Sequence, residues 1–367
     1  MNTIYYICLE PLEERYTAQW YKHFPIKFKE AGFKCVTIDG SPLSNHVGVG
    51  TFLDINSTIA YKNSQMQKVA TLFHNSQIKT GDIFFIADTE YWGLESLRLM
   101  ADMNKVTVGI YSFLHAASYT LEDAFEIATP YQKYTELGWL AACDGVFVGS
   151  EYHKNAVIER RIKKYAHSDD IVSLSNKLIV TGNPLFKEDY TGIIANKKKQ
   201  IIISNRFDWE KRPNLSLNFA YLLKKRNPDL NIIITTSRPK FKSNKDWLVQ
   251  YAKELEADGI ITIYEGLTKQ EYHQHLADSK IMLTNSIEEN FGYCIAEALV
   301  YNTYPLAPVG LSHTELLQNN NNLLFNDMDE IIEKAEYLLS IDTDYSMYVN
   351  TYYNSIDNML KHINKIQ

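Results

Sequence analysis

The chain has 367 residues, 45% of them hydrophobic and 22% charged, with 16 glycines and 10 prolines. That excludes collagen-like, disordered and low-complexity classes, and the length predicts two domains. The net charge of −7, taken as an average, argues against a polyanion partner. Four cysteines, Cys8, Cys35, Cys143 and Cys294, lie far apart and form no C-x-x-C pair, so neither a disulfide framework nor a zinc knuckle is suggested. No window approaches the roughly 18 consecutive apolar residues that a spanning helix needs. The start lacks the basic segment and apolar stretch of a leader, so a cytoplasmic protein with no membrane partner is expected.

Along the chain, apolar β-rich runs alternate with helical patterns, the sequence form of βαβ units and parallel sheets. In the first half, strands are predicted over residues 4–9, 34–38, 83–87, 106–111, 145–148 and 178–180, with helices over 15–31 and 93–103. A polar, Lys-rich stretch over 186–199 follows the turn Gly182-Asn183-Pro184 and reads as the join between domains. In the second half, strands fall at 200–204, 231–235, 260–264, 281–284 and 304–307. Helices are predicted over 214–226, 246–255 and 269–278, with a last one over 346–365. The expected fold class is α/β, two doubly wound Rossmann-like domains in tandem. Such sheets bind ligands at the carboxyl ends of their strands, so chemistry is expected in a cleft between the domains.

Charge is unevenly placed. Residues 151–250 hold 20 Lys and Arg against 10 Asp and Glu, a net +10, and the remainder holds 17 against 34, a net −17. The basic third includes Arg160-Arg161-Ile162-Lys163-Lys164, Lys197-Lys198-Lys199, Lys224-Lys225-Arg226 and Arg238-Pro239-Lys240-Phe241-Lys242. Each cluster reads as a solvated face, or several together as a phosphate-facing zone, and both readings stand.

Two loops of the second half carry the chemistry. After the strand over 200–204 comes Asn205-Arg206-Phe207-Asp208-Trp209-Glu210-Lys211-Arg212-Pro213. Cations at a strand's carboxyl end, just before a helix, can converge on a diphosphate, Arg gripping a planar oxygen pair and Lys acting as a point charge. By itself such a pair is more often a pair of surface charges. After the strand over 281–284 comes Asn285-Ser286-Ile287-Glu288-Glu289-Asn290-Phe291-Gly292 and a helical run reaching Leu299. Gly292 lets the backbone approach a ligand, and amides at the helix start favour negative charge. Glu297 stands among Ile295, Ala296, Ala298 and Leu299, where an ionised side chain needs a partner: a salt bridge at the helix surface, or a ribose diol. The strings Asp327-Met328-Asp329 and Asp342-Thr343-Asp344 lie in late, acidic, helix-like sequence and not at a strand end, so no metal is assigned.

Together, the strand, the Arg-x(4)-Lys loop and the later Glu-x(7)-Glu enclosing Phe291-Gly292 resemble the donor-binding half of retaining GT-B glycosyltransferases, family 4 above all. The family forms G-R-L-x-x-x-K and E-G-F-G-x-x-x-x-E are matched by Asn205-Arg206-Phe207-x-x-x-Lys211 and Glu289-Asn290-Phe291-Gly292-x(4)-Glu297. The segment from Cys143 to Lys154 resembles the end of such enzymes' first domain. Val180-Thr181-Gly182-Asn183-Pro184 resembles their linker turn, and Val309-Gly310-Leu311-Ser312-His313-Thr314-Glu315-Leu316 the loop before their last strand. The resemblance covers most of 105–330.

It implies GT-B architecture with domains over 1–186 and 187–345, facing a central cleft, and a helix over 346–367 crossing back to the first domain. It implies a nucleotide-sugar donor, UDP-linked, as co-substrate, with no separate cofactor and no metal. Arg206 and Lys211 would hold the diphosphate and take up the charge that develops as the glycosidic bond breaks. Glu289 would contact hydroxyls of the transferred sugar and Glu297 the ribose hydroxyls, while Asn205, Asn290, Phe291 and Gly292 face the sugar and phosphates. His115, closing Val108-Gly109-Ile110-Tyr111-Ser112-Phe113-Leu114-His115, takes the place of a family histidine close to the transferred sugar; a lone His is more often structural. Retention follows from front-face attack through an oxocarbenium-like state, the leaving phosphate assisting removal of the acceptor proton.

Where many family members carry a Gly-Gly loop after the first strand, this chain has Leu9-Glu10-Pro11-Leu12-Glu13-Glu14-Arg15-Tyr16. Glu10, Arg15 and Tyr16 there, with Asp88, Tyr91 and Trp92 in a second loop, are the candidate acceptor contacts; the aromatics read equally as core filler. Residues 1–150 hold 11 Lys and Arg against 16 Asp and Glu, which disfavours a membrane-bound acceptor. The stretches 9–20 and 113–119 resemble glycosyltransferases of large tailed phages, which modify hydroxymethylated pyrimidines in DNA. That implies double-stranded DNA as partner and a flipped 5-hydroxymethylcytosine as acceptor, stacked on aromatics. The alternatives are a transferase acting on a glycan, protein or small molecule and, from another class, an inactive nucleotide-binding interaction protein. The sequence sets no oligomeric state.

Overall fold

A computed structural model of the chain describes residues 2–13, 15–44, 54–121 and 126–363. The chain divides into two compact units, Met1–Phe186 with Asn354–Gln367, and Lys187–Tyr353.

In the first unit, β1 (Thr3–Ile7), β2 (Lys34–Ile38), β3 (Ile83–Ile86), β4 (Gly109–Leu114), β5 (Gly145–Val148) and β6 (Leu178–Val180) form one sheet. Its order is β2-β1-β3-β4-β5-β6, and every pairing is parallel. Parallel sheets are covered on both faces, and successive residues point to opposite faces. Tyr5, Ile7, Phe84, Ile86, Ile110 and Val146 accordingly enter one core, and Ile4, Tyr6, Ile83, Phe85, Tyr111 and Phe147 the other. β4 lies further along the chain than the 106–111 expected from the apolar run. The backbone of the preceding residues is engaged elsewhere: Val106 N–H donates to the Ala101 carbonyl, and the Thr107 carbonyl accepts from Gly81.

The helix Ser355–Ile363 closes the second of these cores with Ile356, Met359, Leu360 and Ile363, the i, i+3, i+4, i+7 stripe of one helical face. The expected single helix over 346–365 is broken into a 3₁₀ turn, Ser346–Val349, and the helices Asn350–Tyr353 and Ser355–Ile363. Residues 346–353 belong to the second unit and the remainder to the first, so one continuous stripe could not serve both.

The second unit's sheet contains β7 (Gln200–Ile203), β8 (Asn231–Thr235), β9 (Thr262–Tyr264), β10 (Ile281–Leu283), β11 (Tyr304–Pro308) and β12 (Leu324–Phe325). Its order is β12-β11-β10-β7-β8-β9, again all parallel, the doubly wound Rossmann order. In such sheets the ligand crevice opens where the strand order reverses. The reversal falls between β7 and β10 here, and between β1 and β3 in the first unit. The two loops that carry Arg206, Lys211 and Glu289 therefore flank one switch point, and the loops that carry Glu10 and Asp88 flank the other. Among the described residues, no helix is long and apolar enough to cross a membrane.

Candidate functional site

The buried run Ile201-Ile202-Ile203 anchors β7 in the core. The loop beyond it is pinned by Phe207, whose ring packs 4.6 Å from Phe241. Arg212 adopts a left-handed conformation, φ 44°, and Pro213 opens the helix Pro213–Arg226, where its missing N–H is no loss. The loop after β10 is zipped to this one: Ile287 N–H donates to the Glu210 carbonyl at 2.9 Å. Lys211 Nζ consequently stands 3.0 Å from Glu289 Oε2 and 3.4 Å from the Glu288 carbonyl. Arg206 pairs with Glu210 at 2.9 Å and stays 43% exposed. Burial pushes the Glu289 carboxyl's pKa up, but Lys211, His313 and Arg206 outweigh it and hold the group below its usual value. The result is an ionised carboxylate beside two cations at the switch point.

Gly292 has φ 95° and caps the helix Tyr293–Val300, a backbone state that favours glycine. Asn290 is partly exposed. The Phe291 side chain is buried against Tyr293 and Tyr352 at 5.2 and 5.0 Å, and its carbonyl accepts from Ser312 Oγ. Asn205 donates to Thr284 Oγ1 at 2.5 Å, bridging the two loops. Glu297 is brought into a second cluster. Its Oε2 accepts from Tyr272 at 3.0 Å, with Lys269 Nζ 4.0 Å and His273 Nε2 3.7 Å from Oε1. Burial works to raise its pKa, and His273 and Lys269 with Tyr272 bring it below normal. Cys294, whose thiol burial pushes up to about 12, lies within electrostatic reach of Glu289, Lys211 and Glu297.

In the first unit, Glu10 is buried and its pKa is raised, first by burial. Lys62 Nζ is 2.7 Å from Asp88 Oδ2 and also donates to the Glu90 carbonyl. Asp88 Oδ1 accepts from Glu90 N–H at 3.1 Å. Against the burial of Glu10, the Lys62 charge and hydrogen bonding from Thr58 favour its ionised form. Lys62 and Gln65 lie on the buried face of the helix Ile55–His74. Gln65 Nε2 donates to the Cys8 and Ile38 carbonyls, both at 2.8 Å, and fixes the ends of β1 and β2. Lys62 was missed in the sequence; the available signal was two long polar side chains on one apolar helical stripe.

His115 is engaged at both ring nitrogens, Nε2 with the Ala87 carbonyl at 2.8 Å and Nδ1 with Tyr16 Oη at 3.1 Å. The carbonyl can only accept, so Nε2 carries the proton and Tyr16 donates to Nδ1. Burial lowers its pKa. Tyr91 is buried in the core and Trp92 packs against it, with Lys62 Nζ 5.0 Å over the Trp92 ring. Arg15 is partly exposed at the start of the helix Tyr16–Glu30.

The basic clusters divide into separate pairs. Lys198 pairs with Asp278, Lys199 with Asp229, Arg161 with Glu136 and Lys163 with Glu159. Lys197 donates to Thr303 and the Ser279 carbonyl, and burial pushes its pKa down to about 7. Asp327 caps the helix Met328–Ser340, whereas Asp342 pairs with Lys280 and Asp344 accepts from Ser346 N–H, in a loop rather than the helix-like sequence expected.

Residues 188–356 match the family Glycosyl transferases group 1. No curated relative matches the chain. Among solved structures it is similar to TarM (TM-score 0.58, 16% identity), covering 84% of this chain and 58% of that one. It is also similar to the apo form of the lipopolysaccharide outer core galactosyltransferase WaaB (TM-score 0.63, 12% identity, 99% of each chain). A third is the pneumococcal O-GlcNAc transferase GtfA in complex with UDP and GlcNAc (TM-score 0.55, 15% identity), covering 84% of this chain and 60% of that one. The two parallel-sheet α/β units thus carry the GT-B glycosyltransferase fold. The group 1 match falls on the second unit, where Arg206, Lys211 and Glu289 gather.

Proposed function

We propose that this protein is a retaining, metal-independent glycosyltransferase that moves a sugar from a UDP-sugar to a hydroxyl of 5-hydroxymethylcytosine in phage DNA. The observation that carries the donor half is the Lys211–Glu289 pair at the switch point of the second sheet, with Arg206 within its electrostatic reach. A diphosphate arriving there meets two cations, with Lys211 exchanging part of its contact with Glu289 for phosphate oxygens. The carboxylate so released accepts hydrogen bonds from the sugar. As the C1–O bond breaks, charge grows on the leaving diphosphate, which fixed cations stabilise without reorganising. The acceptor oxygen attacks from the same face, and the departing phosphate takes its proton. The UDP of the GtfA complex supports this nucleotide.

On the acceptor side, the buried carboxyl of Glu10, with Thr58, Lys62 and Asp88 around it, supports a cytosine derivative. Its 4-amino group and its hydroxymethyl hydroxyl both donate, and a carboxylate accepts from C N4. A uracil would present an acceptor oxygen instead. The test is hydrolysis of a panel of nucleotide sugars, then sugar incorporation into duplexes with and without 5-hydroxymethylcytosine, each with and without EDTA. Expected are slow hydrolysis of a UDP-sugar and EDTA-insensitive transfer to the modified duplex alone. Equal, negligible incorporation into both duplexes removes the DNA acceptor, and absence of hydrolysis removes the enzyme.

A further inference from the structure

The loop after β11 brings another side chain to the donor corner. β11 lies beside β10, and β10 beside β7, so the loops leaving these three strands are neighbours. Two bonds tie the loop after β11 to the loop after β10: Ser312 N–H donates to the Glu289 carbonyl at 3.4 Å, and Ser312 Oγ donates to the Phe291 carbonyl at 2.9 Å. The next residue, His313, is fully buried.

Its Nδ1 lies 3.3 Å from the Pro308 carbonyl. A carbonyl only accepts, so Nδ1 carries the proton and Nε2 presents a lone pair. Burial, the larger effect, holds the ring's pKa down to about 4 against the pull of Glu289, which keeps it neutral at physiological pH. Nε2 has no hydrogen-bond partner among the described residues, and a buried acceptor left unpaired is costly. The charged groups within electrostatic reach are Glu289, itself an acceptor, and Lys211, already engaged by Glu289. Among the described residues, none donates to Nε2. A diphosphate at neutral pH has only acceptor oxygens and cannot supply a donor, whereas a sugar hydroxyl can.

We infer that His313 determines donor-sugar specificity: its Nε2 accepts a hydrogen bond from a hydroxyl of the transferred sugar, beside the hydroxyls read by Glu289. This rests on the donor reading above and extends it to a residue outside both motifs.

The test is calorimetric titration of the full chain with UDP, UDP-glucose, UDP-galactose and UDP-N-acetylglucosamine, for the wild type, His313→Leu and His313→Gln. In His313→Leu the tightest-binding UDP-sugar should lose about 5–30-fold in affinity, the worth of one hydrogen bond at a buried site, while UDP changes less than about twofold. Gln can place an amide oxygen near the lost Nε2 and should recover most of the loss. Monodeoxy forms of the same UDP-sugar give a second arm that does not depend on the Leu variant folding. One deoxy position should weaken wild-type binding, and that penalty should be altered in His313→Gln while the other positions are not. Equal losses for UDP and UDP-sugar, or a deoxy series that His313→Gln leaves unchanged, overturn the inference. A wild type that binds neither UDP nor any of these sugars defeats the donor reading itself, which is a different result.

Discussion

Replacing Lys211 by Met keeps most of the stem and removes the cation from Glu289. The pair is 3.0 Å apart, with side chains 14% and 20% exposed, so the carboxylate would be left mostly buried without its direct partner, Arg206 and His313 acting only from further off. Breaking a fully buried pair from one side costs ~3–5 kcal/mol. With a fifth of this carboxylate in solvent, about 2–3 kcal/mol is expected. For a unit of this size each kcal/mol moves Tm by ~2–4 °C, giving a fall of roughly 4–12 °C. Glu289 is held below its usual pKa. Its contribution is therefore present above the unfolded value of about 4.3 and is lost as pH falls through the folded value. In Lys211→Met the main remaining influence is burial, which raises the pKa. The deficit should be full near pH ~7.5 and shrink toward pH ~4.5, as the stranded carboxylate takes up a proton. Adding Glu289→Gln to Lys211→Met removes the stranded charge and should restore most of the lost Tm. Calorimetry of the wild type, the single variant and the double variant at both pH values decides it. A loss that is the same at both, or no rescue by Glu289→Gln, refutes this account of the pair.

Arg206→Ala should lower UDP-sugar turnover by a factor of ~10²–10³, the size of losing one preorganised charge donor, with the far-ultraviolet dichroism of the folded chain retained; steady-state hydrolysis measures it. Arg161→Met acts on stability alone. Arg161 and Glu136 are both buried and paired, and Arg161 Nη2 also donates to Ser118 Oγ at 2.9 Å. Its removal should cost ~3–5 kcal/mol, read as a lowered urea midpoint with unchanged slope.

The donor loops were legible because their residues are close in sequence to the strands that position them. Arg206 and Lys211 follow β7, and Glu289 and Gly292 follow β10, so spacing alone put them at the carboxyl end of the sheet. The partners were not legible. Lys198 finds Asp278, Arg226 finds Glu336 and Arg161 finds Glu136, each across a long stretch of chain, and no count of adjacent charges anticipates that. Lys62 was hidden for the same reason, since a lysine within a helix reads as solvated until Asp88 is placed beside it. β12, two residues long, is below any periodic signal. His313 lay inside a segment already noted, but its unpartnered nitrogen exists only once the loop from β11 is folded against Glu289.

The helix Ser355–Ile363 belongs to the core of the first unit, yet during synthesis it emerges only after all of Lys187–Tyr353. Until then Tyr6, Phe28 and Phe85, which share that core, have one wall missing on the ribosome, while the unit translated later already has every strand it needs. Translation order and completion order are thus inverted. The earlier half is the one exposed to aggregation, and the one on which a holding chaperone would act.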